Sequence, residues 1–297
     1  MSIEENKNIV KRESAMLRRV GNQIAVTNKL VRAINLKLAK EYYDEGCKLR
    51  YKFQEYQEYK NPNTYNNAVY YFSKAIELNP NYANAYLFRG EFKSYLKDYM
   101  GALEDYNKAA SIDPHNADVY WKRHIVKEIL NDYQGAIADC TEIIKIKYDP
   151  AYIPSESEIF MYKTYRRGRG AYAYRQRGKL KEEYLKDYSG ALTDYTNAIE
   201  IDPSYDFAYL NRVTLRLLLK DYKGAIEDCT KIIDIQKNYV HTSYYYRGQA
   251  KNAIGNIKGA CEDWKKAIEH EKKYPNLLAG GAKTKEAEEM IKAYCKD

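Results

Sequence analysis

The sequence predicts an all-α chain, a solenoid of about six helix-turn-helix units with an extra N-terminal helix and a C-terminal capping helix. Three observations carry that reading. Ala68, Ala102, Ala136, Ala191, Ala225 and Ala260 recur at spacings of 34, 34, 55, 34 and 35 residues, each at or near the start of an apolar run such as ALEDYNKAASIDP. Upstream of five of them stands a second motif: YLFRGEFK, YWKRHIVK, YRQRGKLK, YLNRVTLR and YYYRGQAK. Between the two falls a turn segment such as LKDYMG, and a proline such as Pro114 closes the second run.

The elements follow in chain order. Residues 1–38 form a basic helical segment outside the repeat. Residues 1–40 hold nine Lys/Arg and three Glu, a net +6 of the chain's +8, so the basic character is local. Within residues 5–38, Val10, Leu17, Ile24, Val31 and Leu38 recur every seven residues. Val20 and Ile34 mark a companion stripe, which Glu13 and Thr27 interrupt, and Gly21-Asn22 is a candidate break. Three roles fit such a seam. It packs on the first unit as a cap, it self-associates or takes a partner helix, or it lies on anionic membrane or nucleic acid through Arg18, Arg19, Lys29 and Arg32. The broken second stripe argues against a long free-standing coiled coil.

The array covers 39–272, in units of about 39–82, 83–116, 117–150, 171–205, 206–240 and 241–272. Insertions lie near 50–66 and at 151–170. Residues 273–297 hold the cap, where Ala287, Met290, Ile291 and Tyr294 fall at helical spacing.

The units resemble the tetratricopeptide family. In the second, Tyr86, Gly90, Ala102, Tyr106, Ala109 and Pro114 match its landmarks in phase. Small Gly90 and Ala102 let two helices approach, and the aromatic residues fill the space beside them. The resemblance implies a right-handed superhelix with a concave groove lined by the first helix of each unit. It also implies a non-catalytic scaffold or adaptor that binds a protein or peptide partner there. The residues so placed include Tyr43, Leu87, Phe88, Trp121, Lys122, Arg175, Lys179, Leu210, Asn211, Tyr245 and Tyr246. Aromatic side chains not needed for packing act as anchors, and Lys122, Arg175 and Lys179 suit a peptide with acidic groups. Asn211 matches one position of the family's clamp for chaperone carboxyl termini. Lys179, Thr242 and Tyr246 depart from the others, so that ligand is not expected.

A second departure is internal. Five units carry Arg89, Arg123, Arg177, Arg212 and Arg247 on the first helix and Asp105, Asp139, Asp194, Asp228 and Asp263 on the second. The first unit has Glu45 and Tyr71 at those places. Arginine and aspartate come and go together, which predicts a helix-to-helix ion pair inside each unit.

The 151–170 insertion offers Ser155 and Glu158 as a helix-capping box. It is followed by a basic patch of Arg166, Arg167 and Arg169 that runs on through Arg175, Arg177, Lys179 and Lys181. With Tyr165, Tyr172 and Tyr174 to stack on bases, this cluster is the alternative, nucleic-acid-binding reading. A solvated helix face is the plainer one.

Enzymatic signatures are missing from the sequence: no phosphate-binding glycine loop, no H-E-x-x-H, no G-x-S-x-G. Cys140 and Cys229 sit where other units place Phe72, Tyr106, Tyr195 and Trp264, which assigns them to the core. Five cysteines without a C-x-x-C pair imply neither a disulfide nor a zinc site. Neither catalysis nor a cofactor or metal is expected. Mean hydropathy is −0.74, no run of 18 apolar residues occurs, and MSIEENKNIV lacks an apolar signal core, so a cytoplasmic location is expected.

Overall fold

The computed structural model describes residues 3–56, 62–148, 170–235, 239–274 and 280–295. Among them every regular element is a helix. They divide into two compact units, residues 1–130 and 131–297.

The first unit contains α1 (Ile3–Tyr56), α2 (Pro62–Leu78), α3 (Ala83–Tyr95), α4 (Tyr99–Ile112) and α5 (Ala117–Ile129). α1 runs unbroken through Gly21-Asn22, and its second half is the first helix of the first repeat. Proline at the start of α2 costs nothing, because the first amide of a helix has no intrahelical partner. Helices within a repeat close on small residues. A Cβ on Gly90 would lie 2.8 Å from the ring of Tyr106, so only glycine admits that approach. Gly46 faces Phe72 in the same way.

The expectation that the N-terminal segment caps the first repeat is not met. Between residues 18 and 38 no side chain is buried, and burial begins at Ala39. The helix leaves the repeat body there, and of the heptad seam only Leu38 comes beside another element, at Tyr71 of α2.

The second unit contains α6 (Tyr133–Tyr148), α7 (170–180), α8 (Tyr188–Ile201), α9 (Asp206–Leu218), α10 (Tyr222–Ile235), α11 (Val240–Ala253), α12 (Ile257–Lys273) and α13 (Gly280–Tyr294). Gly178 faces Tyr195 and Gly248 faces Trp264. Between α9 and α10, Val213 replaces the glycine and Cys229 replaces the aromatic residue, and both are fully buried. Volume is conserved across the pair rather than at each position.

Five turns share one design. Lys97, Asn131, Lys186, Lys220 and Gly255 adopt positive φ, between 56° and 83°. The next residue caps the following helix. Asp98, Asp132, Asp187, Asp221 and Asn256 accept from the amides of Gly101, Gly135, Gly190, Gly224 and Gly259 at 2.9–3.0 Å. A Cβ on Gly101 would collide with the capping carboxylate of Asp98.

α7 continues into a π-helical turn, Lys181–Leu185. It absorbs one extra residue: Arg177 and Asp194 are 17 apart where the equivalent pairs are 16 apart. Its Tyr184 stacks on Tyr133 at 3.5 Å, and Glu182 accepts from the Tyr195 hydroxyl at 2.6 Å.

α13 packs Ala287, with Met290 and Ile291 beside it, against Trp264 and Tyr245. Cys261 on α12 and Cys295 after α13 form a disulfide with Cα atoms 5.8 Å apart. This corrects the reading that the cysteines imply no bridge. Their separation of 34 residues gives no local motif; only the folding of the cap onto α12 brings them together. The Ser155–Glu158 capping box lies outside the described residues.

Candidate functional site

Arg89 grips Asp105 with two parallel bonds, Nε to Oδ2 at 2.9 Å and Nη2 to Oδ1 at 2.6 Å. Arg177–Asp194, Arg212–Asp228 and Arg247–Asp263 repeat this fork at 2.6–3.0 Å. These aspartates are at most 3% exposed. Each also takes a second cation, from Lys93, Lys181, Arg216 and Lys251 in turn, at 2.7–2.9 Å. The guanidinium of each repeating arginine lies over the ring of the tyrosine three residues earlier, as with Tyr86 under Arg89 at 5.4 Å. Arg123 and Asp139 belong to different units.

The remaining Nη1 reaches the preceding repeat. It donates to Ser73, Asn107, Thr141, Thr196 and Thr230 from Arg89, Arg123, Arg177, Arg212 and Arg247, at 2.9–3.1 Å. The sequence reading missed these acceptors. Their spacings of 34, 34, 55 and 34 follow the alanines and could have revealed them. The network is structural, because every arm of the fork is committed to the protein.

Chemistry left over for a ligand lies elsewhere. In the first unit, α1, α3 and α5 place Tyr43, Arg50, Phe88, Glu91, Trp121 and Lys122. Glu91 is 4% exposed yet accepts from Arg50 Nε at 2.8 Å, Lys122 Nζ at 2.6 Å and the Tyr95 hydroxyl at 3.2 Å. Burial alone would raise its pKa, but Lys122 and Arg50 together hold it below the ordinary carboxylate value. Arg50 lies 4.4 Å over Phe88, and Tyr43 stacks on Phe88 at 5.8 Å and on Tyr82 at 4.6 Å. Trp121 meets His124 edge-on at 5.5 Å. One buried anion thus orients two partly exposed cations, leaving a net positive charge beside half-buried rings. Arg50 and Glu91 stand, like Lys122, at positions that the family resemblance assigns to the groove, but their ion pairing was not foreseen, since they belong to different repeats.

In the second unit, Arg175 donates to Asn211 at 2.9 Å and to Gln176 at 3.1 Å, with Phe207 5.2 Å below its guanidinium. Leu210 is half-buried in the cluster formed with Val213 and Ile232. Lys179 approaches Glu183 at 3.7 Å. Tyr246 stands 5.4 Å from Tyr245, and Lys283 of α13 covers both rings at 5.2 and 5.5 Å. Two residues assigned to a ligand surface are core residues here: Leu87 is 5% exposed and Tyr245 is 4% exposed. Arg166, Arg167 and Arg169 lie outside the described residues. Of the neighbouring basic side chains, Arg177 and Lys181 are committed to Asp194 and Lys179 to Glu183.

Residues 83–116, the repeat that contributes Phe88 and Glu91, match the sequence model of the tetratricopeptide repeat. This segment is a tetratricopeptide repeat. Solved tetratricopeptide structures share the fold of the array. A MamA protein structure aligns at 21% identity and TM-score 0.53, covering 67% of this chain and 97% of that one. YrrB, described as a TPR protein with an unusual peptide-binding site, aligns at 17% and 0.54, covering 73% and 97%. The pilF protein of Pseudomonas aeruginosa aligns at 14% and 0.56, covering 86% and 98%. No curated protein sequence matches the chain. Among the described residues, no helix is long and apolar enough to cross a membrane.

Proposed function

We propose that the chain is a non-catalytic scaffold that binds a partner peptide bearing acidic groups across the first helices of its N-terminal repeats. One observation carries the reading. Glu91, buried and charged, holds Arg50 and Lys122 in place beside Phe88 and Trp121. Fixing two cations with one anion leaves donor groups of Lys122 and Arg50 turned to a partly exposed face, at little further entropic cost on binding. The adjoining rings supply apolar contact area. That combination suits a carboxylate next to an apolar side chain. The fold of a peptide-binding relative, YrrB, is compatible with it.

Selection of a displayed random peptide library against the full chain tests this. Enriched peptides are expected to carry Asp or Glu beside an aliphatic or aromatic residue. Lys122→Ala and Phe88→Ala are each expected to weaken them about tenfold, the equivalent of about 1.4 kcal/mol. Peptides without acidic enrichment, or bound equally by both variants, would sink the proposal. Nucleic acid as the ligand would show instead as binding that falls steeply with added salt.

A further inference from the structure

The N-terminal half of α1 is the largest feature the groove does not explain. Over residues 18–38 it is a helix with a continuous apolar seam in which no side chain is buried; only at its end does Leu38 come beside Tyr71 of α2. Ile24, Val31 and Leu38 form one stripe and Val20, Thr27 and Ile34 the other; the aliphatic members are between 39% and 55% exposed. Thr27 does not break the seam as the sequence suggests. Its hydroxyl donates to the carbonyl of Gln23 at 2.9 Å, so its hydrogen-bonding capacity is met within the helix. Gly21 continues the helix, with open space where its Cβ would be. An amphipathic helix of this kind gains its stability by covering its apolar face.

Charge placement identifies what covers it. Arg18, Arg19, Lys29, Arg32 and Lys37 all lie about 100° or more round the helix from the centre of the seam, at 100° per residue. The positions flanking the two stripes are Gly21, Asn28 and Asn35 on one side and Gln23, Leu30 and Lys37 on the other. Only one of these six is charged. Coiled coils that choose a different partner, or refuse a copy of themselves, do so through charges at those flanks. Here the flanks are almost neutral, and the helix's strong positive charge is turned outward. Two copies can meet along the seam without setting like charges against each other. An acidic partner helix would find its complementary charges on the wrong side.

We propose that this chain self-associates through residues 18–38 of α1, seam against seam, with the basic residues facing outward. β-Branched residues in both stripes suit three strands better than a parallel pair. The assembly holds the repeat bodies of its copies at the end of a shared helical stem.

Light scattering on the full chain, at concentrations up to about 100 μM, tests this. The expected mass is a multiple of 34.8 kDa, with three chains favoured. Ile24→Asp/Val31→Asp should return it to a single chain, while Arg18→Ala/Lys29→Ala/Arg32→Ala should leave the assembly intact. These positions lie off the repeat body, and circular dichroism would confirm that the repeats stay folded. Independently, Thr27→Cys should crosslink copies under oxidation and Arg32→Cys should not. A two-chain mass dissolved by the seam variant keeps the interface and changes only the strand number. A monomer throughout, or an assembly indifferent to the seam variant, overturns the proposal. So does a monomer whose arm instead binds vesicles of anionic lipid.

Discussion

Nη1 of Arg247 donates to the hydroxyl of Thr230 across 3.0 Å, and so a side chain committed to its own repeat also holds the one before it. The other arms of the same guanidinium close on Asp263. Intra-repeat and inter-repeat stability therefore share one residue. Thr230→Val should cost about 1.5 kcal/mol, the loss of one hydrogen bond to a charged group. Arg247→Met should cost about 3 kcal/mol, because Asp263 stays buried with Lys251 as its only cation. Urea unfolding of both variants and of the double variant checks this. The double should cost less than the sum, since both remove the same bond.

How much of this was legible differs from residue to residue. Gly90 and Tyr106, or Arg89 and Asp105, are read easily because packing repeats with the chain. Thr230 was missed although it has the same period, because hydroxyl and amide side chains vary between Ser, Thr and Asn while serving one acceptor role. Glu91 and its two cations fall on groove-lining repeat positions, yet nothing in the sequence pairs them. Arg50, Glu91 and Lys122 sit at different places in three successive repeats, and only the stacking of α1, α3 and α5 unites them. The Cys261–Cys295 bridge was hidden for a related reason, being a contact between the last repeat and its cap.

The acid limb of stability should depend on Glu91. Its folded pKa is depressed, so the paired carboxylate stabilises the first unit at any pH above its unfolded value of about 4.3. That stabilisation is lost as pH falls through the lower folded value. Glu91→Gln should lower stability by about 2 kcal/mol at pH 7 and flatten the dependence below pH ~4. Thermal unfolding of both proteins from pH 3 to pH 7 reads the difference. Parallel curves would show that Lys122 and Arg50 do not hold the carboxylate charged.

The turn design makes a paired prediction. Gly101→Ala should cost about 1–2 kcal/mol by driving a methyl into the capping carboxylate of Asp98. In an Asp98→Ala background the same substitution should cost little, because the cap it disrupts is already gone. Additive losses would mean that the glycine serves some purpose other than the cap.

Reduction should loosen one end of the molecule. A closed loop of 34 residues contributes about 4 kcal/mol through the entropy it removes from the unfolded chain. Dithiothreitol should lower the melting temperature of the wild type and leave Cys261→Ser/Cys295→Ser unchanged. Hydrogen exchange should show the gain in amide exposure concentrated in α12 and α13.

That bridge gives the array a direction. Repeats contact their immediate neighbours, so a linear array frays from its termini inward. With α13 stitched to α12, the C-terminal end cannot peel helix by helix. A protease or a molecular motor that reached α13 first would have to break a covalent link before α13 could leave α12, whereas one that reached α1 first would meet no covalent link among the described residues. The same chain should resist dismantling from one end and yield to it from the other.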